Sequence, residues 1–348
     1  MTFNKLLNIN NKIISKDSPT FIIAEAGVNH NGNMNIAKQL IDIAFDAKVD
    51  AIKFQTFKVD NLILDSVPKA PYQQKTTKAT ESQMNMLKKL ELTRKQNIEL
   101  KKYCQDKNII FLTTPFDEES LDEIDELDLP AYKIASTDTT NLLFLKKVAK
   151  KGKPIFLSTG MTYLSEIQMA LETIYEFNKD VLLLQCTANY PIRDNEANLE
   201  VLNTFKKYFD VLVGYSDHTE GIGAAAFAIP MGAKVVEKHF TLDKSQDGPD
   251  HKASLSPKEL KEFVNLVRKV DSFMGSNIKK PNLSEIETRA SLQKCLVASN
   301  DIKKGEIFTE NNIVGKRTGG KGISPIYYKD IIGIKVNKDF KKDEIIKI

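Results

Sequence analysis

The feature that most constrains this chain is an alternation repeated eight times: a short apolar stretch of strand type, then a stretch with helical spacing. The strand-type stretches are Thr20–Ala26, Asp50–Gln55, Asn108–Thr114, Ala131–Ser136, Pro154–Thr159, Asp180–Cys186, Val211–Tyr215 and Lys234–Phe240. Helical spacing runs through Met34–Ala47, Ser82–Leu92, Thr93–Lys107, Glu118–Glu126, Leu142–Lys151, Leu164–Phe177 and Leu199–Tyr208. A small-residue helix rich in Ala and Gly separates the last two strands, and an amphipathic helix, Ser256–Met274, closes the series. Strand-then-helix units build a parallel sheet, and eight of them predict an α/β fold, a (β/α)8 TIM barrel with its chemistry at the C-terminal strand ends. The expected barrel domain covers 1–275, beginning with a polar leader. Residues 276–290 read as a linker, and 291–348 as a small mostly β domain that by its size needs docking against something.

The strand ends carry, in order, Glu25; Lys53 and Gln55; Thr113 and Thr114; Lys133 and Ser136; Ser158; Thr187 and Tyr190; Ser216 and His218; Glu237 and His239. A polar strand end is ordinary in any barrel. Lys53, Lys133 and Glu237, however, lie inside apolar strands, where an unpaired charge is costly, so each should meet a partner or a ligand. Lys53, Lys133 and the hydroxyls of Thr114, Ser136, Ser158 and Ser216 would form a ring of donors suited to a small phosphorylated or carboxylated anion. His218 and His239 end neighbouring strands, the pattern of half a divalent-metal site; the alternative is a pair of turn-forming or core histidines. All four histidines, His30 and His251 included, fall just after the first, seventh or eighth strand. Glu25, in an EAGVNHNG turn, is a candidate acid or base, or the ion-pair partner of a lysine. Asp250 and His251, in GPDHKAS, suit either a polyol or a plain turn. The residues alone describe a metal-assisted enzyme acting on a small anion and a polar co-substrate.

Composition narrows the partners. A net charge of +4 with Lys and Glu dispersed along helices is a solvated surface, so no nucleic acid is expected. No apolar run approaches a membrane span, so no membrane is expected either. Three cysteines far apart fit a reducing compartment, and the cytoplasm is the expected location.

Ten ordered motifs, EAGVNHNG, IKFQTFK, KAPYQ with ESQ, TTPFD, YKIAS, LSTGM, CTANYP, GYSDHT, VVEKHFTLD and GPDHKASL, resemble the sialic acid (nonulosonic acid) synthase family. The tail IKKGEIFTENNIVGKRTGGKGISP resembles that family's antifreeze-like SAF domain. The resemblance implies condensation of phosphoenolpyruvate with an N-acylated mannosamine-type sugar, giving N-acetylneuraminate or N,N'-diacetyllegionaminate and phosphate; the alternative within it is a pseudaminic acid synthase. It implies Mn²⁺ or Mg²⁺ on His218 and His239, and Glu25 as the catalytic carboxylate. Lys53, Gln55, Thr114, Lys133, Ser136, Ser158 and Ser216 would hold phosphoenolpyruvate, and Asp138, Tyr190 and Asp250 the sugar. Arg317, in the GKRTGG loop, would reach the sugar of the other subunit in a domain-swapped homodimer. Two departures fall on the sugar side: IASTD, where relatives carry Gly-Glu in place of Thr137 and Asp138, and the KAPYQ segment. The competing classes are a metal-dependent barrel hydrolase, for which the NHNG turn lacks an HxH pair, and ice or carbohydrate binding by the tail, whose Lys303, Lys304, Lys316 and Lys321 make it charged.

Overall fold

The computed structural model describes residues 1–69 and 82–348, so most of the KAPYQ–ESQ segment lies outside the described residues. The chain forms two compact units, Met1–Gly275 and Ser276–Ile348. In the first, eight parallel strands run β3 (Phe21–Gly27), β4 (Ala51–Thr56), β5 (Ile110–Pro115), β6 (Tyr132–Ile134), β7 (Ile155–Ser158), β8 (Val181–Cys186), β9 (Leu212–Asp217) and β10 (Ala233–His239). They are hydrogen-bonded in the order β5-β4-β3-β10-β9-β8-β7-β6, and β5 also lies beside β6, which closes the ring. The sheet is a closed TIM barrel.

Alternation along each strand sorts side chains into two layers. Ile22, Ala24, Ile52, Phe54, Leu183, Val213 and Val236 belong to the core between strands and helices. Phe21, Ile23, Ala51, Ile110, Leu112, Phe156, Leu182, Leu184, Leu212 and Val235 form a separate core inside the barrel. The inward series changes character upward. Phe21 and Ile23 lead to Glu25, Ala51 to Lys53, Phe156 to Ser158, and Val235 to Glu237 and His239. The lower layers hold the barrel and the top layer is polar.

The polar leader is in fact a hairpin, β1 (Leu6–Ile9) and β2 (Lys12–Ser15), whose Leu7, Ile9 and Ile14 complete the inner core from below. Its turn is Asn10–Asn11, both at positive φ (52° and 67°), which asparagine tolerates in a two-residue hairpin turn. The apolar residues flanking an Asn-Asn pair were the available signal. The expected small-residue helix shrinks to Ala225–Ala228, because Gly221 and Gly223 at positive φ break the turn before it. The closing helix, Pro257–Met274, returns to the barrel's start: Asp271 accepts from the Thr20 amide and hydroxyl (3.0 and 2.6 Å), and Arg268 pairs with Asp50 at 2.6 Å.

In the second unit, the stretch read as a linker contains a helix, Ile286–Leu292, entered through an Asn282–Glu285 capping box. Beyond it β11 (Lys294–Ala298) and β12 (Ile313–Arg317) pair antiparallel over a core of Leu296, Ile302, Phe308, Val336 and Phe340. Among the described residues no helix is long and apolar enough to cross a membrane.

Gly214 marks how tightly the inner layers fit: a Cβ there would lie 2.5 Å from the Val235 carbonyl oxygen and 2.6 Å from Leu184 Cδ2. Gly214→Ala should therefore destabilise the barrel by about 1–3 kcal/mol, the usual cost of overpacking. Urea unfolding followed by circular dichroism checks it; an unchanged midpoint would mean the interior has slack.

Candidate active site

The register of the barrel brings the polar layer together. Glu25 lies beside both His239 and Lys53, Gln55 beside Thr114, and Ser216 beside Glu237 and Cys186. Above them is a cavity of about 790 Å³. Glu25, Lys53, Gln55, Thr114, Lys133, Ser136, Ser158, Tyr190, Ser216, His218, His239 and Asp250 all line it. Asp138 does not. It sits in a one-turn 3-10 helix, Ser136–Asp138, buried and accepting hydrogen bonds from Asn141 Nδ2 (3.2 Å) and Thr137 Oγ1 (3.1 Å), and Thr137 faces the cavity instead. Arg317 is the exposed last residue of β12 in the second unit, opposite Lys294, and not part of a free loop.

The remaining sequence candidates fall outside the cavity wall. Thr113 faces outward, bonded to Thr56 at 2.8 Å. His30 Nδ1 accepts from the Gly32 amide, and burial holds its pKa down at about 4. His251 shares a 2.6 Å hydrogen bond with Thr241. Both are structural histidines of the loops. Thr187 contributes its carbonyl, which accepts from His218 Nδ1 at 2.7 Å and fixes that ring's tautomer.

At the centre is a chain of four buried charges. Lys53 Nζ is 2.7 Å from Glu25 Oε2 and 3.7 Å from Glu237 Oε2; Lys133 Nζ is 3.3 Å from Glu237 Oε1, which also accepts from Ser216 Oγ at 2.9 Å. Glu237, expected from the sequence only to meet a partner or a ligand, meets both lysines. Its position two residues before His239 on the inward series was the signal. Burial would raise its pKa, but the Lys133 and Lys53 charges outweigh burial and hold it at about 2. For Glu25 burial wins, because Lys53 is shared with Glu237, and its pKa rises to about 7. With Glu25 part-protonated near neutral pH the two lysines face less than two full carboxylates, a balance suited to an anion, and burial lowers the Lys133 pKa from its ordinary value. Lys53 Nζ also donates to Thr114 Oγ1 (2.9 Å), while the buried Ser158 hydroxyl has no hydrogen-bond partner among the described residues. A donor left over in so dry a place is costly unless a ligand accepts from it.

Beside the cluster the His218 and His239 rings lie 5.5 Å apart between centroids, with Tyr190 packed over both at 4.1 and 5.3 Å. His239 Nδ1 is buried without a hydrogen-bond partner among the described residues, and Asp250 Oδ2 is 3.8 Å away. Burial foremost, then the neighbouring His218, keeps His239 neutral well below its ordinary pKa, and burial raises Asp250 to about 6. No group of three or more His, Cys, Asp and Glu side chains among the described residues is arranged to hold a metal ion. Two imidazoles facing a cavity fit an open site in which water and substrate supply the other ligands. The outer wall is apolar: Phe57, Leu62, Ile63, Leu87, Phe116 and Met161, none of them singled out in the sequence.

Fold and cavity together define a (β/α)8 barrel with two buried lysines next to a pair of imidazoles at its C-terminal strand ends. Residues 40–279 match the NeuB family and 293–348 the SAF domain. The chain belongs to the NeuB family. It is 49% identical to the N,N'-diacetyllegionaminic acid synthase of Campylobacter jejuni, over 94% of this chain and 99% of that one. With the Legionella pneumophila protein of the same name it shares 40% over 91% and 90%. The crystal structure of the N-acetylneuraminic acid synthetase of Leptospira borgpetersenii, 34% identical, superposes with a TM-score of 0.73 over 84% of this chain and 98% of that one.

If Glu25 works in its ionised form, kcat/KM should climb about tenfold per pH unit below about 7 and level off above. Glu25→Gln should remove the ascending limb and lower kcat roughly 10²-fold or more while phosphoenolpyruvate still binds. A pH–rate profile of both proteins decides; a limb that persists in the glutamine variant would assign the titration elsewhere.

Proposed function

We propose that the chain condenses phosphoenolpyruvate with 2,4-diacetamido-trideoxymannose in its open-chain aldehyde form, giving N,N'-diacetyllegionaminate and phosphate. The observation that carries the reaction is the pair of buried lysines, with the Ser158 hydroxyl that has no hydrogen-bond partner among the described residues, beside the two imidazoles in one cavity. The sugar assignment is supported by the 49% identity to a legionaminic acid synthase over nearly the whole chain, against 34% to a neuraminic acid synthetase. The apolar outer wall also favours a sugar that has lost hydroxyl groups.

Lys53, Lys133, Thr114, Ser136, Ser158 and Ser216 hold the phosphate and carboxylate of phosphoenolpyruvate, with Gln55 alongside. Tyr190 and Asp250 face the sugar. The C3 carbon of phosphoenolpyruvate bonds to the aldehyde carbon, whose oxygen takes up a proton. Water adds at C2, and the bond from C2 to the phosphate oxygen breaks, leaving the keto acid. Glu25, with its pKa near neutrality, accepts the proton of the attacking water. His218 and His239 would hold Mn²⁺ or Mg²⁺, which when bound polarises the aldehyde. The Thr187 carbonyl keeps the His218 ring in place.

Purified protein supplied with phosphoenolpyruvate, Mn²⁺ and each candidate sugar in turn, with products read by mass spectrometry, should form the legionaminate mass fastest. Excess chelator should abolish turnover, and His239→Ala should lose most bound metal. Preference for N-acetylmannosamine would overturn the sugar assignment, and full activity in chelator the metal.

The second unit is proposed to serve the barrel of a partner subunit in a homodimer, through Arg317. Its guanidinium is exposed at a strand end next to Gly319 and Gly320 at positive φ, and offers several donors to a hydroxyl-rich sugar. Arg317→Ala and Glu25→Gln should each be nearly inactive alone and regain activity after subunit exchange, because one of the two sites in each heterodimer then carries neither change. No recovery despite proven exchange would refute the swapped arrangement.

A further inference from the structure

Outward-facing strand residues in this barrel meet helices and are mostly apolar, as Val213, Tyr215 and Val236 are. Asp217 and Lys238 break that rule. They are cross-strand partners in register, each immediately before one of the two cavity histidines, with side chains essentially inaccessible and Nζ 3.3 Å from Oδ1. Neither lines the cavity.

All but one of the hydrogen bonds described for them besides the ion pair converge on Thr219. Asp217 Oδ1 accepts from the amide and hydroxyl of Thr219 (2.9 and 2.6 Å), and Oδ2 from the Ala225 amide (3.0 Å). Lys238 Nζ donates to the Thr219 carbonyl at 2.5 Å. Thr219 is thus held by amide, hydroxyl and carbonyl at once. Gly223 closes over the group at φ +63°, where a Cβ would lie 2.1 Å from Thr219 Oγ1 and 2.5 Å from Asp217 Oδ2. His218 sits between two residues fixed in this way, and its own carbonyl accepts from the Ile192 amide at 3.0 Å.

A buried ion pair is a poor device for stability, since apolar residues of similar volume usually serve as well or better. On the helix-facing side of a barrel such residues would fit. We propose that Asp217 and Lys238 are positioning residues: from behind the sheet they lock the strand ends that carry His218 and His239, setting the two imidazoles in the spacing a shared ligand requires. This rests on the reading of that pair as the metal-holding one. Partners behind metal-binding histidines typically contribute about 10–100-fold in affinity.

The test replaces the pair by an apolar one, Asp217→Leu with Lys238→Met, alongside the single variants Asp217→Asn and Lys238→Met in case the double variant fails to fold. Mn²⁺ affinity is read from the electron paramagnetic resonance of free Mn²⁺, stability from the urea midpoint, and the His218 ring from its slowly exchanging Nδ1–H resonance in metal-free protein. The expected result is a midpoint equal to or above wild type, Mn²⁺ bound about 10–100-fold more weakly, and loss of the protected Nδ1–H. The KM for phosphoenolpyruvate should stay unchanged, because the lysine ring belongs to the opposite face of the strands. Wild-type Mn²⁺ affinity with a protected Nδ1–H in folded variants overturns the proposal. If wild-type protein binds no Mn²⁺, the metal reading fails, and the Nδ1–H readout in metal-free protein still decides the positioning role: its loss supports the clamp and its persistence removes it.

Discussion

Four charges in the throat of the barrel, Glu25, Lys53, Glu237 and Lys133, are joined in one chain of ion pairs with almost no water access. Removing so many ionised groups from water is expensive, and their mutual attraction offsets that only where geometry is good and spare donors are satisfied. The layers beneath make the geometry possible. Phe21, Ile23, Ala51, Leu112, Phe156 and Val235 fill the barrel below, so the charged layer rests on a floor that cannot be deformed cheaply. The cluster also divides labour between its carboxylates. Glu237, gripped by two lysines, stays ionised as a fixed part of the frame, while Glu25, sharing one lysine, keeps a proton affinity near neutrality. Two chemically similar side chains take different tasks because of how many cations each can claim.

The fold was legible because periodicity is a local property. The eight strand stretches lie within a residue or two of the observed strands for the most part, with β6 the shortest and most overextended in the reading. The hairpin at the start was not legible as a leader: its apolar residues, Leu7, Ile9 and Ile14, are separated by polar ones and acquire meaning only as a floor for a barrel formed elsewhere. Most cavity residues were legible for the same reason as the strands, since a charged or hydroxyl side chain at an inward position near a strand end has one place to go. Parity also separates what the sequence left mixed. Thr113 and Thr114 are neighbours in the chain but face opposite sides of the sheet, as do Lys238 and His239.

What periodicity could not convey is the path of the loops. Asp138 turns into its own 3-10 turn and leaves Thr137 at the cavity, a difference of one residue decided by hydrogen bonds to Asn141. The apolar wall of Phe57, Leu62, Ile63, Leu87, Phe116 and Met161 is gathered from several excursions between strands, and no spacing rule links its members. The histidines illustrate both sides. Four fall after strands at one rim of the barrel, yet two are spent on holding loops and two face the cavity.

The pairing of β3 with β10 has a consequence for how the protein comes into being. Glu25 and His239 are neighbours across the pairing that joins the first barrel strand in the chain to the last. Contacts between residues so distant in sequence must await the synthesis of everything between them, and they carry a large loop-closure entropy. A ribosome-bound fragment ending before residue 237 has the lysines and Glu25 but neither the second imidazole nor Glu237 to balance their charge.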